Sequence, residues 1–488
     1  MDPLKVCLVS SEVAPLAKTG GLADVVAALG AELSRRGHDV RVVMPLYRRL
    51  REAGRRFEDV PGLSDLDLAL GPRTGRVSLR KTTLEENGLE VLCVDCPELY
   101  DRPGIYTQDG DEHLRFAVLA RAALSAAQAT GWAPDVVHAN DWHVALLPLY
   151  IRMLSSWEQL FARTKTVLTI HNIGYQGVVG AEAIDDLGLA DARHLLHQED
   201  LAAGRVNLLK TGLLYADVIT TVSETYAREI QGEEMGMGLD GLLRQRADHL
   251  VGIVNGVDTE EWSPETDRFI PKQYSSETLE DKLANKRALL DTLGLRPGDG
   301  VPCFGIVSRL VAQKGFELVM EPLAEMLAGR DVRVAVLGSG ESRYESAFAS
   351  LQSRFPGRMC FYRGYSNELA HLIEAGADAF LMPSRYEPCG LNQMYSLRYG
   401  TVPIVRATGG LADTVQLFRR ETGEGTGIVF EHFDVQAVRW ALTYALELWA
   451  DQTSWRRMQR NGMARDYSWK RQAGLYEELY ERLLTPRR

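Results

Sequence analysis

The chain has 488 residues, too many for one hydrophobic core, so two domains are expected. Its 45% hydrophobic and 25% charged content is ordinary for a globular protein, while the net charge of −11 offers no basic surface to nucleic acid or anionic membranes. No segment reaches the length of a membrane span, and the opening Met-Asp-Pro-Leu-Lys lacks the basic and apolar regions of a secretory leader.

From the N-terminus, an apolar run at 5–10 reads as a strand, followed by helical spacing over 21–36 that stops at Gly37. A strand at 39–45 comes next. Runs at 77–83 and 89–94, joined through Asn87-Gly88, read as a hairpin, and 112–130 as an Ala-rich helix. Short buried-type strands are expected at 135–138, 166–170, 218–222 and 251–254. Such continuous apolar runs between helices predict a mostly parallel sheet covered on both faces. The polar, proline-punctuated stretch 262–272 precedes a second alternating series. Its strands fall at 303–307, 333–337, 359–362, 379–382, 402–405 and 427–430. Helices at 315–327, 344–355, 368–375 and 391–399 separate them, and Gly338-Ser339-Gly340 reads as a tight turn. The tail 435–484 is helical. The expected fold class is therefore α/β, with two Rossmann-like doubly wound domains. They are bounded at 1–257 and 258–455, and the C-terminal helices 456–488 are expected to cross back to the first domain.

Cys7, Cys303 and Cys360 lie in apolar runs, as buried thiols do, and with Cys93, Cys96 and Cys389 they fit a reducing cytoplasm. Cys93 and Cys96 form one CxxC with no second pair or suitably spaced His, so zinc and redox chemistry are set aside.

Thr-Gly-Gly-Leu-Ala-Asp occurs twice, at 19–24 and 408–413, each time between a strand and a helix. Paired glycines there let backbone approach a ligand, and the helix start favours an anion. Open α/β sheets bind ligands beyond the carboxyl ends of their strands, so polar residues at those ends are the site candidates. In the first half these are Glu12, Lys18, Gly20, Gly21 and Asp24, then Asp141 and Trp142, then His171. A carboxylate accepts sugar hydroxyls, and an indole covers an apolar sugar face. His138 reads as a core histidine, and His143 is left open between core and surface. In the second half Arg309 and Lys314 supply two cations suited to a diphosphate leaving group. Glu387, inside Pro383-Ser-Arg-Tyr-Glu-Pro-Cys-Gly-Leu391, stands just before a helix, where a carboxylate can orient sugar hydroxyls. The Asp-x-Asp strings at 65–67 and 109–111 have no supporting context and read as surface.

Taken together, Lys18–Asp24, Asn140-Asp-Trp-His143, Thr169-Ile-His-Asn172, Asn255-Gly-Val-Asp258, Ser308-Arg-Leu310 with Gln313-Lys-Gly315, Pro383–Leu391 and Thr408–Asp413 resemble the bacterial glycogen synthase and plant starch synthase family, in order along the chain. The resemblance implies a GT-B fold, two Rossmann-like domains facing across a cleft that closes on the nucleotide. It implies retaining transfer of glucose from ADP-glucose to the non-reducing 4-OH of an α-1,4-glucan, in glycogen biosynthesis, with no metal and no cofactor. It further implies that Arg309 and Lys314 hold the diphosphate, and that Glu387 binds the donor glucose near the reacting centre. Thr408, Gly409 and Gly410 would present amides to phosphate, beside Cys389, Gly390 and Leu391. Lys18, Gly20 and Gly21 would close over the donor, His171 and Asn255 would contact glucose hydroxyls, and Tyr365 would stack on the base. Asp141 would lie near the transfer point, with Glu12, Asp24 and Trp142 toward the acceptor. The alternatives are a GT-B enzyme using UDP-glucose or another acceptor, a phosphorylase-like enzyme with pyridoxal, and a non-catalytic nucleotide-sugar or glucan-binding protein.

Overall fold

The computed structural model describes residues 3–70, 73–156 and 158–485; Met1 and Asp2, which open the start read above as leaderless, lie outside them. The chain forms two compact units. The first runs through Val222, resumes over Ala227–Gly256 and takes back the chain from Trp469; the second holds Ser223–Tyr226 and Val257–Ser468.

The first unit is built on strands β1 (Lys5–Val9), β2 (Asp39–Pro45), β3 (Glu58–Asp59), β4 (Leu66–Leu70), β5 (Arg73–Thr83), β6 (Glu90–Asp95), β7 (Val136–Asn140), β8 (Lys165–Ile170), β9 (Val178–Gly180), β10 (Arg205–Asn207), β11 (Val218–Thr221) and β12 (Leu250–Gly252). Its main sheet has the order β12-β11-β8-β7-β1-β2-β6-β5-β3, parallel from β12 to β6, with β5 and β3 antiparallel. The β5–β6 hairpin is the one expected from Asn87-Gly88, registered from Ser78 opposite Asp95 to Thr83 opposite Glu90. β4, which the sequence reading did not foresee, pairs antiparallel with β5 and buries Leu68 and Leu70. The strand order reverses between β1 and β7, where this class of sheet opens a crevice.

The last helix, Trp469–Leu484, packs on the helix Gly21–Arg35 of this unit. Its Tyr480 hydroxyl meets His138 Nδ1 at 2.7 Å, and Glu477 pairs with Arg36 at 2.8 Å and His38 at 3.0 Å. His138 is thus a satisfied core histidine, and burial lowers its pKa to about 3, so it stays neutral.

The second unit carries β13 (Cys303–Leu310), β14 (Arg333–Gly340), β15 (Met359–Arg363), β16 (Ala379–Met382), β17 (Val402–Arg406) and β18 (Ile428–Phe430), all parallel, in the order β15-β14-β13-β16-β17-β18. Phe304, Ile306, Val334, Val336, Leu381 and Ile404 form its core with Leu323, Leu327, Val438 and Leu442 from the covering helices. Each fully buried side chain of this kind contributes about 1.5–3 kcal/mol. Gly338 to Gly340 is not a turn, as expected, but the end of β14. β13 and β14 stay paired through Leu310 and Gly340, and a Cβ on Gly338 would lie 2.2 Å from the Ser308 carbonyl oxygen. β13 meets β16 only at Phe304–Ala379 and Gly305–Phe380. Beyond that pairing the two strands part, and the strand order reverses there. Among the described residues no helix is long and apolar enough to cross a membrane.

Candidate active site

The reversal point of the second unit gathers the strongest candidates. β16 ends at Met382 and the chain runs through Pro383–Leu391 before the helix Asn392–Arg398. On the other side β13 ends at Leu310 and a short helical turn, Ala312–Lys314, follows. Lys314 Nζ lies 2.6 Å from Glu387 Oε2, with both side chains largely removed from solvent. Ser384 Oγ donates to the same carboxylate oxygen at 2.9 Å, which fixes its orientation. The two loops are stitched by backbone as well: Arg385 N donates to Gln313 O at 2.8 Å and Gln313 Nε2 to Tyr386 O at 3.2 Å. Gly315 makes this approach possible. Its φ is +69°, and a Cβ there would sit 2.0 Å from the Pro383 carbonyl oxygen. Arg309 is exposed at the end of β13, and its guanidinium makes no ion pair among the described residues.

Thr408, Gly409 and Gly410 follow β17 and pack beneath the Glu387 loop, with Gly410 N donating to Glu387 O at 3.1 Å and Pro388 O at 3.2 Å. That amide therefore holds the loop. The helix it opens, Gly409–Thr414, has six residues. Cys389 is buried, and Gln393 Nε2 holds both the Cys389 and Gly390 carbonyls at 3.0 Å, which anchors the run to Leu391. Tyr365 stands just past β15 and is 72% exposed, its hydroxyl donating to Asn367 Oδ1 at 3.0 Å.

In the first unit the crevice between β1 and β7 brings together Glu12, Asp141 and His171. Asp141 Oδ1 accepts from His171 N at 2.7 Å, and Asn140 Oδ1 meets His171 Nε2 at 2.9 Å. Since Asn140 Nδ2 donates to Val9 O, its oxygen faces His171, whose Nε2 must carry the proton. Burial lowers the His171 pKa to about 3, so the ring is neutral. Burial raises the Asp141 carboxyl to about 7 against the His171 and Asn172 amides that favour its charge, and the Glu12 carboxylate adds to the rise. Asp141 also has φ +61° and ψ −178°, a conformation that non-glycine residues rarely hold outside functional sites.

Glu12 accepts from the Thr19 backbone amide, from Thr19 Oγ1 at 2.7 Å and from the Tyr106 hydroxyl at 2.5 Å. Tyr106 was missed by sequence reasoning; it stands in no motif, and the fold alone stacks it on His143 with ring centroids 5.0 Å apart. His143 is buried among Tyr106, Phe116 and Trp142, which resolves the choice left open, and burial lowers its pKa to about 3. Trp142 also lies against Gly177, where a Cβ would fall 2.2 Å from the indole. Lys18 reaches Asp24 at 2.8 Å at the surface, beside Gly20 and Gly21. Asn255, near the end of this unit's Ala227–Gly256 segment, is buried with its Oδ1 unpartnered among the described residues. An acceptor left in that state costs stability unless a ligand donor fills it.

The Asp-x-Asp strings are structural: Asp67 is an exposed partner of Arg76, and Asp111 pairs with Arg102 at 2.6 Å. Among the described residues no cluster of three or more His, Cys, Asp and Glu side chains could hold a metal ion, and all six cysteines are free thiols.

The chain matches the family described as starch synthase catalytic domain over residues 5–245 and that described as glycosyl transferases group 1 over residues 295–463. Two doubly wound units with these matches define a glycosyltransferase of GT-B architecture. A glycogen synthase of Myxococcus xanthus is 47% identical over 99% of this chain and 100% of its own, and one of Koribacter versatilis is 43% identical over 98% of each. The catalytic domain of starch synthase IV from Arabidopsis thaliana, solved bound to ADP and acarbose, superposes with a TM-score of 0.90 at 32% identity, over 99% of this chain and 100% of that one. Sucrose-phosphate synthase from Thermosynechococcus elongatus shares the fold alone, with a TM-score of 0.61 at 18% identity over 98% of each chain. The chain belongs to the bacterial glycogen synthase and plant starch synthase family.

Proposed function

We propose that this protein transfers glucose from ADP-glucose to the non-reducing 4-OH of an α-1,4-glucan with retention of configuration, in a reducing cytoplasm. The observation that carries the reading is the Lys314–Glu387 pair at the strand-order reversal of the second unit. A cation beside an oriented carboxylate suits a diphosphate bonded to a sugar. The glycogen synthase relatives and the ADP-bound starch synthase support the same chemistry.

Lys314 and Arg309 neutralise the diphosphate, while Glu387, held by Ser384, orients the donor glucose. Cys389, Gly390 and Leu391 at the end of that loop, with Thr408, Gly409 and Gly410 beneath it, bind the donor at its phosphates, and Tyr365 stacks on the base. Lys18, Gly20 and Gly21 add a third cation and an open turn for the donor. His171 and Asn255 bind its hydroxyls, Asn255 through its unpartnered oxygen. Asp141 stands near the transfer point, and Glu12, Asp24 and Trp142 serve the acceptor. The bond from C1 to phosphate breaks as C1 bonds to the acceptor O4 on the same face. The departing phosphate takes the acceptor's proton, and ADP leaves. Glu387 forms no covalent intermediate, and no metal or cofactor takes part.

Incorporation of radiolabelled glucose into glycogen from ADP-glucose and from UDP-glucose tests the proposal. ADP-glucose is expected to be the better donor. Preference for UDP-glucose overturns the donor assignment, and no incorporation from either overturns the activity.

A further inference from the structure

The helix Val435–Ala450 carries an aromatic pair of which Tyr444 packs against the core while Trp440 stays outside it. Its inner face, with Val438, Ala441, Leu442, Ala445 and Leu448, is buried in the second unit. On its outer side Trp440 is 46% exposed. The indole lies parallel to the ring of Tyr444 one turn on, with centroids 5.4 Å apart and planes at 13°. Rings at that separation are offset on the side they share, and the exposure of Trp440 leaves the rest of the indole to solvent. The Tyr444 hydroxyl donates to Phe418 O at 3.1 Å, which holds the lower ring in place. Neither the Trp440 indole N–H nor the amide of Gln436, one turn earlier, has a hydrogen-bond partner among the described residues. The neighbouring cation, Arg439, is neutralised by Glu321 at 2.8 Å and Glu325 at 2.7 Å, and Glu447 follows Tyr444 by three residues. The face also holds Arg420 beside Tyr444, its guanidinium donating to the Glu447 carbonyl, but Glu421 and Glu447 offset that charge, so the face carries no excess of positive charge. It offers an ordered aromatic surface flanked by open hydrogen-bonding groups, which suits an uncharged polyhydroxylated ligand.

We propose that the Gln436–Trp440–Tyr444 ridge is a second glucan-binding site, distinct from the residues that carry out transfer. The apolar face of a glucose unit stacks on Trp440, while Gln436 and the indole N–H reach its hydroxyls. The identity of the ligand rests on the activity proposed above. Because the rings are already fixed, little ordering is lost on binding. Holding a branched polymer at this ridge raises the effective concentration of its chain ends at the site of transfer.

β-Cyclodextrin, a closed ring of α-1,4-linked glucose, has no non-reducing end and cannot be extended, so its binding is read apart from turnover. Calorimetric titration into the full-length protein is compared with Trp440→Ala, and with Gln436→Ala should the first variant fold poorly. Trp440→Ala is expected to weaken β-cyclodextrin binding about tenfold. It is expected to raise the half-saturating glycogen concentration several-fold, and to leave transfer to a short linear maltooligosaccharide unchanged. Unaltered β-cyclodextrin binding overturns the proposal. So does a variant that loses only self-association, which would make the ridge a contact between copies of this chain. Failure of ADP-glucose-dependent transfer in the parent protein overturns the activity instead and leaves the titration readable.

Discussion

Residues 19–24 and 408–413 are the same hexapeptide, Thr-Gly-Gly-Leu-Ala-Asp, and they do opposite things. In the first, Gly20 caps the helix Gly21–Arg35 at φ −156°, exposed, and a Cβ on it would meet nothing within 4 Å. In the second, Thr408 is the cap, and the helix starts one residue earlier in the motif and ends after six residues. There Gly409 has φ +44°, and Cβ atoms on Gly409 and Gly410 would fall 1.9 Å from Glu387 O and 2.1 Å from Cys389 O. One copy sets its first glycine in open space, and the other uses both for contact with a loop crossing over it. The aspartates diverge too: Asp24 pairs with exposed Lys18, whereas Asp413 accepts from the Thr225 backbone amide and hydroxyl. A short motif specifies a permissive backbone, and the packing around it decides the use.

The largest effect that would break this contrast comes from the glycines. Gly410→Ala is expected to push the Glu387 loop aside, cost about 3 kcal/mol in urea unfolding and abolish transfer. Gly20→Ala should leave the unfolding midpoint unchanged. Equal losses at both positions would erase the distinction.

Next are the charged partners of each copy. Glu387→Gln is expected to lower kcat by about 10²–10³-fold while far-UV circular dichroism stays native. Lys18→Ala should raise the donor KM without moving the melting temperature, because its ion pair is exposed and weak. A normal kcat in Glu387→Gln would remove the second copy's neighbour from the chemistry.

A smaller effect separates the two neighbourhoods by pH. Asp141, beside the first copy's Glu12, has a carboxyl raised from 3.8 to about 7. Its folded state favours the protonated form, so that contribution to stability is full below the ordinary pKa near 4 and fades as pH rises toward 7. Asp141→Asn removes the slope. The variant's stability relative to the parent should therefore rise by about 1–3 kcal/mol between pH 5 and pH 8, followed by thermal melts; a flat difference would sink the assignment. The smallest expected effect is on the paired aspartates: about 1 kcal/mol for Asp413→Ala, and under about 0.5 kcal/mol for Asp24→Ala.

The parallel strands were legible because they are uninterrupted apolar runs, and Asp39–Pro45 and Ala379–Met382 were read to the residue. β4 was not, since Asp67 in its middle made a charged string of what is an alternating edge strand. Gly338 and Gly340 looked like a turn because their role, letting β13 and β14 stay close, depends on a partner strand distant in sequence. The Lys314–Glu387 meeting was foreshadowed by each residue's place after a strand, but only the strand order brings β13 beside β16. Neither Tyr106 nor the backbone of Asp141 leaves a signal in one sequence. The first is recruited by tertiary packing, and the second is a torsion that residue type argues against.

The return of the helix Trp469–Leu484 to the first unit bears on how the chain is made. A ribosome releases that helix only after the whole second unit has emerged. Until then His138, Arg36 and His38 wait for Tyr480 and Glu477. The first unit to be synthesised is thus the last to be finished, and strict N-to-C domain-wise folding is unavailable to this topology. A nonsense mutation within the codons of Trp469–Leu484 would damage the N-terminal unit and spare the unit that precedes the helix in sequence.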